Sequence, residues 1–176
     1  KVLLDYDKQT NHFIDFNHLL PNGESIFTQI SLEISDLSEI VQFFLDNNAD
    51  PNLPDKFGVY PLEYAININS YEFVKTLVNT EKIDFSVRMK KTKETYLHLA
   101  AQCKDSKIME IILKKCENDK NSVDKYGETP MMKAVNASNK KNIKMLDRKD
   151  DKNKNREKLD SVNYSDKKYW FTKQEA

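Results

Sequence analysis

The sequence predicts an all-α solenoid: about four helix-turn-helix repeats after a partial N-terminal one, followed by a C-terminal extension. Three observations predict it. Four segments align at a fixed spacing, their first residues Gly23, Gly58, Lys93 and Gly127 lying 35, 35 and 34 positions apart. Three of them are followed by apolar pairs spaced i, i+1, i+4, i+5, which puts all four side chains on one helical face. Similar loop phrases, Asn48-Ala-Asp-Pro-Asn52 and Asn121-Ser-Val-Asp-Lys-Tyr-Gly127, lead from one unit into the next. A fixed period of this size means stacked units, each with an apolar face that only its neighbour can cover.

Taken in order, residues 1–22 read as a truncated repeat or cap: Val2-Leu3-Leu4 resembles the end of an outer helix and Ile14-Asp-Phe-Asn17 is a faint copy of the loop phrase. The repeats run from 23 to 146. Their inner helices open in Gly23-Glu-Ser-Ile-Phe-Thr-Gln-Ile30, Gly58-Val-Tyr-Pro-Leu-Glu-Tyr-Ala65, Lys93-Glu-Thr-Tyr-Leu-His-Leu-Ala100 and Gly127-Glu-Thr-Pro-Met-Met-Lys-Ala134. Outer helices carry Ile40-Val41 with Phe44-Leu45, Phe73-Val74 with Leu77-Val78, and Ile108-Met109 with Ile112-Leu113. Proline early in a helix presets φ where no amide donor is needed, and a preceding Thr or Ser can accept from the first turn. The glycines release each loop into a left-handed turn. Ala65, Ala100, Ala101 and Ala134 are small where helices must approach.

Departures from the pattern carry expectations of their own. Ile26 and Tyr96 fill proline slots and Lys93 a glycine slot, so the first and third copies should be entered less sharply. The connection from Lys82 to Thr92 is longer and less typical, which predicts a locally displaced or mobile loop. Asn142, Ile143, Leu146 and Asp147 stand where apolar pairs are expected, the polarity that the outer face of a terminal cap requires. Residues 147–163 are nearly all charged or amide and read as a linker. Residues 164–176, with Tyr164, Tyr169, Trp170 and Phe171, read as a strap on the last repeat, a lead-in to a further domain, or a partner motif.

Between them the copies spell T-P-L-H-x-A: Pro61-Leu62 and Ala65, Thr95 with Leu97-His98 and Ala100, Thr129-Pro130 and Ala134. On these residues the chain resembles the ankyrin-repeat family, whose period and signature match. The resemblance implies repeats joined by β-hairpin-like loops, and a structural role for His98 as a hydrogen-bonded link between the loops of adjacent repeats.

Composition narrows the function. Lys and Arg balance Asp and Glu at 28 each, but the sum conceals a net of −5 over residues 1–139 and +5 over 140–176. With three glycines, neither the dinucleotide-binding nor the P-loop spacing occurs. Apolar runs are far too short to span a bilayer. Cys103 and Cys116 lack the partners of a disulfide framework or a zinc site and read as reduced thiols. That suits an intracellular, cytoplasmic protein, with the nucleus open. The chain starts at Lys1, which fits a fragment. The basic tail with Tyr169-Trp170-Phe171 invites a nucleic-acid reading, but acidic residues interrupt it and no RNA- or DNA-binding signature occurs. No convergent acid, base and nucleophile is visible: His98 is taken by the repeat, His12 and His18 have no ligand spacing, and Glu63 and Glu94 read as solvated carboxylates. No enzyme, cofactor or metal is therefore expected.

The remaining class is a monomeric module that binds another protein. The resemblance places partners in the concave groove formed by loop fingertips and inner helices. Fingertip candidates are Leu53, Lys56 and Phe57, then Arg88, Met89 and Lys91, then Val123, Lys125 and Tyr126. Inner-helix candidates are Tyr64, Ile68, Gln102 and Lys133. Phe57 and Tyr126 are either partner anchors or packing against the next finger. An adaptor or scaffold is the first reading; a regulatory or substrate-recruiting arm of a larger signalling enzyme is the alternative.

Overall fold

A computed structural model describes residues 15–30 and 37–147. The features expected at 1–14 and 148–176, including the aromatic segment, lie outside the described residues.

Seven α-helices and one 3-10 helix, with no strand, make up the described part. They are α1 (Leu37–Asp46), α2 (Pro61–Asn67), α3 (Tyr71–Asn79), α4 (Tyr96–Gln102), α5 (Ser106–Lys115), α6 (Pro130–Asn136) and α7 (Lys140–Leu146), with the 3-10 turn Glu117–Asn121 after α5. Inner helices α2, α4 and α6 stack in one row, and outer helices α1, α3, α5 and α7 stack in a second row behind them. In the first copy the corresponding inner element is a single turn, with the amides of Thr28 and Gln29 both donating to the Ser25 carbonyl.

The apolar pattern becomes one continuous core. Val41, Phe73, Val74, Leu77, Ile108, Met109 and Ile112 from the outer row meet Leu62, Ala65, Leu97, Ala100 and Ala134 from the inner row, all fully enclosed. The alanines allow this because a larger side chain there would separate the two rows.

Local chemistry sets the helix starts. Pro61 and Pro130 occupy first positions of α2 and α6, and Thr129 Oγ1 accepts the Met132 amide. Three repeats use the same further device, a side chain in the first turn reaching back to the amide that precedes it. Thr28 Oγ1 takes the Ser25 amide, Glu63 Oε2 takes that of Tyr60, and His98 Nδ1 takes that of Thr95. This device corrects the expectation of a blunt start to the third copy: Tyr96 begins α4 sharply and is buried edge-on to Phe85.

The Lys82–Thr92 connection is not displaced. Its Ile83 and Met89 are buried, and Asn52 of the preceding repeat staples it by donating to the Lys82 carbonyl and accepting the Asp84 amide, both at 2.8 Å. Asn17 makes the equivalent staple one repeat earlier, to Asn48 O and the Asp50 amide. The added length is one residue in the finger, closed by Met89 N to Glu94 O and Lys93 N to Met89 O, and Lys93 takes the left-handed conformation of the missing glycine at φ 61°.

The cap expectation also needs correction. Asn142 is fully buried and faces inward, its Nδ2 donating to the carbonyls of Ala100, Ala101 and Cys103 at the end of α4. Ala100 O also accepts the Cys103 amide, but carbonyls at a helix end are short of partners, so an amide side chain at this position closes the helix end that precedes it. The polar outer face of α7 is supplied by Lys140, Lys141 and Lys144.

Candidate interaction site

Each repeat projects a finger. In the second, Asp55 Oδ1 accepts the amides of Phe57 and Val59, and Gly58 turns the chain at φ 83°. In the fourth, Asp124 Oδ1 does the same for Tyr126 and Glu128 around Gly127. Fingers are also tied side to side: Lys56 N donates to Gly23 O and Lys125 N to Thr92 O, each at 2.9 Å. The tips are thus rigid mounts for what they carry.

They carry exposed aromatics. Phe57 is 54% and Tyr126 66% accessible, and Val123 beside it 50%. A lysine from the same finger lies over each ring, Lys56 Nζ 4.9 Å from the Phe57 centroid and Lys125 Nζ 4.8 Å from that of Tyr126, and Phe57 also lines the space facing the third finger. Lys91 is exposed on the third finger, with Lys90, which sequence reading overlooked, exposed beside it. Gln102 is exposed and lines a groove of about 460 Å³ with Asn67, Asn69, Leu99 and Lys104. Leu53 and Ile68 are half-buried, and half-buried Tyr64 donates its hydroxyl to Ile30 O of the first repeat.

Two candidates are placed differently from expectation, and a third is tied to the next finger. Met89, 3% exposed, is not a fingertip: it closes the base of the third finger where Asp55 and Asp124 stand in the others. Arg88, exposed on the third finger, spends Nη1 on the carbonyls of Lys93 and Val123 and so ties that finger to the fourth. Lys133 is not a free groove cation. Its ammonium, on a side chain only 12% exposed, sits 3.0 Å from Glu94, 2.8 Å from Asp124 and 2.7 Å from Glu128. Burial opposes its charge, but the three carboxylates outweigh burial and raise its pKa. Burial likewise pushes Asp124 up, yet the Lys133 ammonium and the Glu128 and Tyr126 amides hold it below the usual carboxylate range.

His98 is fully buried behind this cluster. Because Nδ1 accepts the Thr95 amide, the proton is on Nε2, which donates to Glu128 O at 3.0 Å. Both nitrogens are committed, and burial lowers its pKa. Burial also pushes the thiols up, Cys103 to about 11 and Cys116 to about 12, so both are protonated at neutral pH.

Glu94 is buried and Glu63 half-buried, where the sequence suggests fully solvated carboxylates. Both line a cavity of about 270 Å³ between the second and third fingers, walled by Phe57, Val59, Met89 and Leu99 and rimmed by Lys90 and Lys91. Burial raises the Glu63 pKa, as do the charges of Asp55 and Glu94, against the Tyr60 amide and Lys91. No described Lys or Arg forms an ion pair with it.

Compared with known families, residues 29–124 and 91–158 match the model for ankyrin repeats in three copies. The chain belongs to the ankyrin-repeat family. No curated protein matches the chain. Ankyrin repeats generally mediate protein-protein interaction and are typically non-enzymatic, so the rigid fingertip row and the groove beneath it form the surface to consider. No helix among the described residues is long and apolar enough to cross a membrane.

Proposed function

We propose that this ankyrin array is a non-catalytic adaptor that binds a partner protein across its concave face, with Phe57 and Tyr126 as the apolar anchors. The observation that carries this reading is the exposure of two aromatic rings, at 54% and 66%, on fingers whose backbones are fixed by buried aspartates. Aromatic anchors give large contact area at small entropic cost, and a preformed mount removes the cost of ordering them. Val123, Lys56, Lys125, Lys91 and Gln102 complete the rim, and a partner with acidic and apolar character complements the lysine-bearing tips.

The test is quantitative binding of a partner isolated with the full chain, measured against Phe57→Ala/Tyr126→Ala. Loss of about a hundredfold in affinity, typical of two anchors, is expected. Unchanged affinity with the fold intact refutes the groove assignment.

A further inference from the structure

The third and second junctions of the stack are built on the same plan and filled differently. At the third junction Lys133 of α6 reaches Glu94, Asp124 and Glu128. Stepping one repeat back along the sequence replaces Lys133 by Leu99, Asp124 by Met89, and the Glu94–Glu128 pair by Val59 and Glu94. All four of these residues line the 270 Å³ cavity. Where the third junction holds its own cation, the second therefore holds an open space with apolar walls and carboxylates at Glu63 and Glu94.

Glu63 deepens the contrast. It stands at the position of His98, and it copies the inward half of that residue's work by accepting the Tyr60 amide. It cannot copy the outward half. His98 Nε2 donates to the next repeat's carbonyl at Glu128, whereas a carboxylate at this place has no proton to give to the equivalent carbonyl of Glu94. The second junction thus lacks the imidazole donor of the third and has no ammonium in the place of Lys133; its own lysines, Lys90 and Lys91, stand on the rim.

We propose that the cavity between the second and third fingers is a slot for one lysine or arginine side chain of a partner peptide. The apolar walls of Val59, Met89 and Leu99 take the methylene stem, and Glu63 takes the charged head, with Glu94, whose Oε1 already pairs with Lys133, beside it. The volume suits one long side chain and is small for a drug-sized ligand. Lys90 and Lys91 on the rim select acidic or neutral residues beside the inserted cation, so the slot reads an isolated basic residue and rejects a polybasic run. This specifies the chemistry of the groove reading above and rests on it.

The test is selection of short random peptides, displayed on phage, against the immobilised full chain and its Glu63→Gln variant, which keeps the acceptor for the Tyr60 amide. Selected peptides are expected to share one Lys or Arg beside apolar residues, and to bind Glu63→Gln about tenfold more weakly. Peptides that lose binding to Phe57→Ala/Tyr126→Ala but show no basic preference, or bind Glu63→Gln equally, overturn the slot and leave the groove reading standing. Peptides indifferent to both variants count against both. Basic peptides that appear only with the full-length Lys167→Glu/Lys168→Glu variant assign the slot to the chain's own tail and overturn the partner assignment.

Discussion

His98 of the third repeat donates from Nε2 to the carbonyl oxygen of Glu128 in the fourth, 3.0 Å away, while its Nδ1 accepts the amide of Thr95. One imidazole thereby closes a helix start and joins two fingers, but only as the neutral tautomer. Protonation would put a hydrogen on Nδ1 facing a donor. Burial lowers its pKa below the ordinary 6.5, against the pull of Glu128 O, Asp124 and Glu94. Between 6.5 and the lower folded value the unfolded chain binds more protons, so stability falls as pH drops through that window. Urea midpoints should therefore be lower at about pH 5.5 than at about pH 7.5, and His98→Gln should flatten the slope. An equal slope in the variant would assign the effect to other groups.

Glu63 has the opposite sign. Its folded pKa is raised above 4.5, so the unfolded state releases its proton first and the carboxyl contributes stability that is lost as pH rises through the folded value. Glu63→Gln should thus raise the melting temperature at neutral pH by more than it does near pH 4, a comparison made by calorimetry at the two pH values. A uniform shift would argue against a strained carboxylate.

Lys133 holds three carboxylates together, and removing it leaves them facing one another in a site almost closed to water. Lys133→Met should cost about 3 kcal/mol in chemical denaturation. Adding Glu94→Gln to that variant should recover part of the loss, because the two residues are in direct contact at 3.0 Å.

Asn142 carries a comparable load. With Nδ2 on the carbonyls of Ala100, Ala101 and Cys103, Asn142→Ala should cost about 2 kcal/mol and speed amide exchange at the end of α4. At Lys93 the backbone is already left-handed at φ 61°, so Lys93→Gly should stabilise by about 0.5–1 kcal/mol, measured by the same denaturation.

How far these features can be read from sequence depends on their range. The solenoid was legible because the 34–35 residue period, the inner-helix alanines and the outer apolar pairs are each set within one repeat. Met89 was misplaced as a tip because the finger gains a residue just there, and only the bonds from Met89 N to Glu94 O and Lys93 N to Met89 O show where the hairpin closes. Lys133 and Asn142 look like surface residues by type, yet Lys133 pairs with Glu94 39 positions away as well as with Asp124 and Glu128 of its own repeat, and Asn142 reaches up to 42 positions to Ala100. Burial of such groups is decided by the neighbouring repeat. A signal did exist for Lys133: aligned copies place Leu99 and Tyr64 at its position, so an inward direction was implied. Likewise Glu63 aligns with His98, which marks it as a first-turn acceptor and not a solvated carboxylate.

Site-specific photocrosslinking tests the interaction account most directly. A photoreactive phenylalanine analogue placed at Phe57 or Tyr126 on the concave fingers, or at Lys75 or Lys114 on the outer helices, is irradiated in the cells the protein comes from. The same partner protein captured from positions 57 and 126, and absent from 75 and 114, is the predicted result; capture from the outer helices alone would contradict it.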